Sequence, residues 1–170
     1  QFKFLENNKD VGVVGSAIVL INELWKAVGS RNYHLIDNDI RSHLFSYSPF
    51  AQPATMLRKS ILDKVGYYGM EYPVSADIDL WFRIGKISKY ANLNKFLLKY
   101  RLNEGSVTYK KIAKMEKITF QIRWKAFTTY GYRPKFKEII VNILQLISFF
   151  LVPTKVKVYL FNLWRNNRIG

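Results

Sequence analysis

Val11-Gly-Val-Val-Gly-Ser-Ala-Ile-Val-Leu-Ile21 is apolar at nearly every position and rich in β-branched residues. Only Ser16 interrupts it, so both faces of the segment need cover. That is the pattern of a strand inside a parallel or mixed sheet with helices packed on it. Upstream, Gln1-Phe-Lys-Phe-Leu-Glu6 reads as the middle of a helix with no capping residue before it. The expectation is therefore that a further half of the protein precedes it. Downstream, residues 22–36 read as a loop or hairpin, and Asp37 to Phe45 as a short helix capped by Asp or Asn. Ala54 to Arg58 is a second short strand. Ser60 caps a one-turn helix that Gly66 closes. An aromatic loop, Tyr67 to Pro73, leads to a helix running to about Ile84. Lys89 to Asn92 and Leu97 to Arg101 read as two short strands at the sheet edge. Strand and helix alternate, which predicts an α/β fold.

The helix after the aromatic loop is Ser75-Ala-Asp-Ile-Asp-Leu-Trp-Phe-Arg83, with two acids in an apolar run. Acids are seldom buried without a partner or a purpose. Asp79 and Arg83 stand four residues apart on a helix and can pair. Asp77 shares its face with Trp81 and has no local cation, which makes it a candidate general base. The same position also suits an ordinary helix start, where acids meet the positive end of the helix dipole. Spacing leaves both readings open.

The 170 residues carry a net charge of +15, and the charge is uneven. Residues 1–108 hold 14 Lys or Arg against 10 Asp or Glu, whereas residues 109–170 hold 13 against 2. So basic an end seeks a polyanion, either nucleic acid or an anionic lipid surface. A basic helix is predicted over Lys110 to Thr129, broken by Gly131 and Pro134. Then Ile139 to Val152 forms an apolar helix of about 21 Å, short of the roughly 30 Å of a bilayer core. Asn142, Gln145 and Ser148 draw a thin polar line on it, and Lys135, Lys137, Lys155 and Lys157 flank it. After Pro153, a last helix places Val156, Tyr159, Leu160, Leu163 and Trp164 on one stripe, with Lys155, Asn162 and Arg165 off it. Basic, aromatic and amphipathic helices of this kind lie in membrane interfaces. Plain packing on the domain or on a partner chain is the other reading. Nucleic acid is not expected, because the apolar content exceeds what a phosphate-binding arm needs. The chain has no cysteine, so a disulfide framework or Cys-ligated metal is excluded. There is no secretory signal pattern at the start. The expected location is cytoplasmic, peripheral on the inner face of the cell membrane.

The order of signals resembles a known family. Phe4-Leu-Glu-Asn-Asn8 leads to Asp10-Val-Gly-Val-Val-Gly-Ser16. Pro49-Phe-Ala-Gln-Pro-Ala-Thr-Met-Leu-Arg-Lys59, Val65-Gly-Tyr-Tyr68, the Ser75–Arg83 stretch and Leu97-Leu-Lys-Tyr-Arg-Leu-Asn-Glu-Gly-Ser-Val107 follow. This is similar to the C-terminal half of a family 2 glycosyltransferase of the GT-A fold. The resemblance implies a Rossmann-like mixed sheet with flanking helices over residues 1–108, the acceptor-side half, followed by a basic amphipathic helical tail over 109–170. It implies inverting transfer of a sugar from a nucleotide-sugar donor to the hydroxyl of a sugar or lipid-linked acceptor, in the synthesis of cell-surface polysaccharide or glycolipid. A catalytically inactive half-domain that binds membranes or partners is the alternative. Asp77 matches the family's catalytic base, although Ala76 stands where the family has Glu. Gln52 and Thr55 fall where the family floors the sugar pocket. Asp79 also falls in the matched site. Trp81, with Tyr72, forms an apolar wall for a sugar ring or packs in the core. Arg58 and Arg101 meet phosphate charge or serve as structural partners. The family's His after the Tyr-Arg string is Asn103 here, a poor ligand for a transition metal, so no metal ligand is assigned. A divalent cation, Mg2+ or Mn2+, is expected mainly on the N-terminal half. Asp37-Asn-Asp39 reads as a helix cap rather than that half's metal motif, and His34 and His43 read as isolated, ordinary residues.

Overall fold

A computed structural model describes residues 1–102 and 111–166, with the side chains of residues 154, 155, 158 and 162 outside the description. The apolar strand, β1 (Val11–Ile21), is the centre of the sheet. Its residues are buried almost throughout, because every edge and face of it is covered. After a hairpin, β2 (Ala27–Arg31) pairs antiparallel with its C-terminal end, Leu20 opposite Gly29. β3 (Met56–Leu57) pairs antiparallel near its start, Val14 opposite Met56. On the other side β4 (Lys89–Arg101) runs parallel along its whole length, from Val11 opposite Lys89 to Ile21 opposite Arg101. The two edge strands read from the sequence are thus one strand. Asn94 and Lys95 form an irregularity between the residues opposite Ser16 and Ala17, which hides its continuity.

The parallel return from β1 to β4 needs a crossover, which the helices supply. α1 (Phe2–Asn7) precedes β1; α2 (Asp37–Arg41), α3 (Lys59–Val65) and α4 (Ala76–Gly85) lie between β1 and β4. α3 begins after Arg58, not at Ser60. It ends at Gly66, whose φ of 83° is the left-handed value that glycine takes without strain. α2 has no side-chain cap at all: Ile36 precedes it, and Asp37 turns away to Arg41 Nε (2.7 Å) and the Tyr90 N–H (2.9 Å). Asp37 therefore pins α2 to β4 rather than capping it.

The core forms where α4 crosses β1 and β4. Leu80, Trp81, Phe82 and Ile84 of α4 meet Val13, Phe45, Phe50 and Tyr90, all deeply buried. Phe50 and Trp81 rings meet edge to face at 5.0 Å, and Phe82 and Tyr132 at 5.1 Å. The Tyr90 hydroxyl donates to the Trp81 carbonyl (2.7 Å) and that of Tyr132 to the Phe82 carbonyl (2.9 Å), anchoring α4 at two successive carbonyls. Three longer helices follow: α5 (Ile112–Thr128), α6 (Phe136–Leu151) and α7 (Thr154–Arg165). α5 sends Ile118, Ile122 and Ala126 into the core over α4. A mixed sheet with helices on it, followed by a helical region, is a fragment of the Rossmann-like GT-A fold.

Candidate functional site

The chain enters α4 through Ser75, a buried residue with φ 61° and ψ 18°. That left-handed conformation costs a non-glycine residue about 1–2 kcal/mol, and it places Asp77 in the first helical turn. There the carboxylate lies within reach of its own N–H and that of Ile78, both of which favour the anion. Burial acts more strongly and pushes the Asp77 carboxyl above its ordinary range. The residue is nevertheless partly open to solvent, and among the described residues no cation pairs with it. The Trp81 indole N–H lies near enough to favour the anion, but Nε1 makes no hydrogen bond of ordinary geometry. A half-buried carboxylate, raised in basicity and aimed by a helix start, is what proton abstraction from a hydroxyl requires.

Its neighbours of the same stretch turn into the fold. Asp79 is 2% exposed, and its oxygens accept from Arg83 Nε (2.7 Å) and the Tyr130 hydroxyl (2.8 Å). Arg83 continues to the carbonyls of Val65 (2.6 Å), Gly66 (2.9 Å) and Tyr67 (2.8 Å), clamping the aromatic loop to α4. Asp79 is thus engaged on both oxygens inside the fold, as part of its scaffold. Trp81 is fully buried under Phe50 and forms no wall for a sugar ring.

The remaining expected residues are scattered. Arg58 is taken up by the backbone carbonyls of Val11 (2.9 Å), Asn8 (3.3 Å) and Leu5, so it ties α1 to β3, the structural role that was one of its two readings. Gln52 is exposed and donates to the Tyr68 hydroxyl (3.2 Å); the Thr55 hydroxyl donates to the Gln52 carbonyl (2.7 Å). Arg101 is exposed, its guanidinium 4.3 Å from the Trp25 ring centre. Tyr72 sits under the Lys125 ammonium, 5.4 Å from the ring centre. Asn103 lies outside the described residues. His34 and His43 are not isolated: their rings stack at 4.2 Å, and His34 Nε2 is 2.8 Å from the Tyr47 hydroxyl. Burial, and then His43, lowers the pKa of His34.

A mostly apolar cavity of about 540 Å3 opens between the end of β4 and helices α5 to α7. Ile78, the residue after Asp77, forms part of its wall, with Tyr100, Leu102, Met115 and Phe120. Arg31, Arg101 and Arg123 bring positive charge to it, while Lys157 there is paired with Glu116 at 2.6 Å. Sequence reading missed this cavity, because residues far apart in the chain build it. Among the described residues no group of three or more His, Asp or Glu converges as a metal site.

The chain is related to glycosyltransferases over most of its length. It is 29% identical over 132 residues to the uncharacterized glycosyltransferase MJ1057 of Methanocaldococcus jannaschii, covering 74% of this chain and 44% of that protein. It is 32% identical over 127 residues to the O-antigen biosynthesis glycosyltransferase WbnJ of Escherichia coli, covering 72% of this chain and 48% of that protein. The chain thus spans less than half the length of each of these relatives. No family model matches it.

Proposed function

We propose that the chain is the acceptor-side half of an inverting, family 2 glycosyltransferase, with Asp77 as its general base. The observation that carries this reading is the Asp77 carboxylate, partly open, free of cations among the described residues and made more basic by burial. The acceptor hydroxyl gives its proton to Asp77 as its oxygen bonds to the anomeric carbon of the donor sugar. The bond from that carbon to the diphosphate breaks at the same time, and the nucleoside diphosphate leaves with the electron pair. Attack from the face opposite the leaving group inverts the configuration. General-base assistance of this kind contributes about 10²- to 10⁴-fold. The apolar cavity that Ile78 helps to line suits an acceptor that carries an apolar portion, such as a lipid-linked sugar. Gln52, Thr55 and Arg101, which stay accessible, are the residues left to contact sugar or phosphate. Mg2+ or Mn2+ belongs, in this reading, to residues outside the 170. The likeness to two glycosyltransferases supports the transferase class, and one of them is an O-antigen biosynthesis enzyme. A cell-surface polysaccharide or glycolipid is accordingly the proposed product.

A second reading, an inactive half-domain that binds partners, draws on Ala76 and on the engagement of Asp79, Arg58 and Trp81 in the scaffold. Transfer by the full-length protein separates the two. With a panel of nucleotide sugars and a lipid-linked acceptor, Asp77→Asn should lower the rate by about 10²-fold or more while leaving the fold intact. A loss below about tenfold overturns the assignment of the base.

A further inference from the structure

α6 is built inside out. Its polar row faces the protein. Glu138, 4% exposed, accepts the N–H groups of Phe45 (3.0 Å) and Lys135 (2.9 Å). Asn142 donates to the Phe45 carbonyl (2.8 Å), and Gln145 to that of Ser46 (3.0 Å). Buried Arg123 of α5 donates to the side-chain oxygens of both Asn142 (3.0 Å) and Gln145 (2.6 Å). The opposite face is apolar and uncovered: Phe136 is 76% exposed, Phe150 and Leu151 75% each, and Ile140, Ile143 and Ile147 lie between them. In water a helix takes the reverse arrangement, with apolar residues inward and polar residues outward. Polar-in and apolar-out is the arrangement that a hydrocarbon surround favours.

We infer that the outward face of α6 docks on an anionic lipid bilayer, lying in its interface. The helix has 16 residues, about 24 Å, too short for a core of roughly 30 Å. Among the described residues no helix is long and apolar enough to cross a membrane. Arg133, Lys135 and Lys137 are exposed at one end of the patch, where lipid phosphates would sit. The outward stripe of α7 repeats the pattern, with Tyr159, Leu163 and Trp164 open to solvent, and aromatic residues of that kind favour the headgroup level. Charge decides against a second copy of the chain as the cover. Residues 109–170 carry 13 cationic against 2 acidic side chains, so two copies joined here would repel, whereas anionic lipid neutralises them. This inference does not rest on the proposed transfer chemistry.

Flotation of the 170-residue chain with vesicles tests it. Vesicles of phosphatidylcholine with about 30% phosphatidylglycerol, an anionic lipid that supplies surface charge, should carry the chain upward. Pure phosphatidylcholine should carry much less. Lys135→Gln with Lys137→Gln should weaken association by about fivefold per residue. Ile143→Asp with Ile147→Asp should abolish it while leaving far-UV circular dichroism unchanged, since both side chains already face water. The absence of cysteine allows a second readout. An environment-sensitive dye on Ile143→Cys should shift to the blue on anionic vesicles, and the same dye on Lys64→Cys of α3 should not. Equal flotation of the Ile143/Ile147 variant, or a dye shift at neither site or equally at both, overturns the inference. So does a stable dimer in light scattering that the Ile143/Ile147 variant dissociates and that leaves vesicles unbound.

Discussion

Replacing Asp79 with Asn removes the anion that Arg83 meets inside the fold. The pair is short, 2.7 Å, and the Asp79 side chain is 2% exposed. Its other oxygen holds the Tyr130 hydroxyl at 2.8 Å, with Lys125 Nζ further off at 3.9 Å. Removing one partner of a buried pair costs about 3–5 kcal/mol, because the remaining charge stays desolvated. Arg83 keeps three backbone carbonyls and some contact with water, which places the expected loss at the lower end, about 3 kcal/mol. For a chain of this length that is about 6–12 °C in Tm. Urea unfolding followed by tryptophan fluorescence and circular dichroism measures it. The double variant Asp79→Asn with Arg83→Met should recover part of the loss, since no unpaired charge remains. A loss below about 1 kcal/mol, the size of an exposed pair, would refute the buried clamp. Strict additivity in the double variant would refute it too.

Burial raises the Asp77 carboxyl, so folding favours its protonated form. That contribution is full below the unfolded pKa and is lost as pH rises through the folded one. Asp77→Asn should therefore raise urea stability at pH near neutrality, with the gain disappearing in acid; an equal effect at both extremes speaks against a raised carboxyl. Gly85→Ala would drive a methyl group into the Tyr90 and Tyr132 hydroxyls that anchor α4. Overpacking of that kind should cost about 2 kcal/mol, read as a lower urea midpoint; an unchanged midpoint would show that the two tyrosines give way freely. Arg58→Met removes the donors to Leu5, Asn8 and Val11, and should cost about 2–3 kcal/mol. Hydrogen exchange should show α1 losing protection first, and uniform loss across the sheet would contradict the tie.

The strand order was half legible in the sequence. Val11 to Ile21 announced a strand covered on both faces because every side chain there is apolar or small, and it is the centre of the sheet. β4 was read as two pieces, since Asn94 and Lys95 break its apolar pattern while the backbone pairing continues past them. Asp79 with Arg83 could be paired from spacing alone, but not the long-range partners Tyr130 and the Val65–Tyr67 carbonyls that make the pair a clamp. Arg58 stayed open between phosphate contact and structural partner, because a sequence does not show that three backbone carbonyls already claim it. The polar line on α6 was visible as Asn142, Gln145 and Ser148. Its inward direction was not, because Arg123 and the Phe45–Ser46 carbonyls that it meets lie far away in the chain.

The role given to Asp77 is tested most directly by the pH dependence of kcat/KM for sugar transfer by the full-length protein, wild type beside Asp77→Asn. The expected wild-type profile falls on its acid side through one ionisation lying above about 3.9, the ordinary aspartate value. In Asp77→Asn that limb should vanish along with most of the rate. An acid limb that persists unchanged in Asp77→Asn would mean that some other group takes the proton.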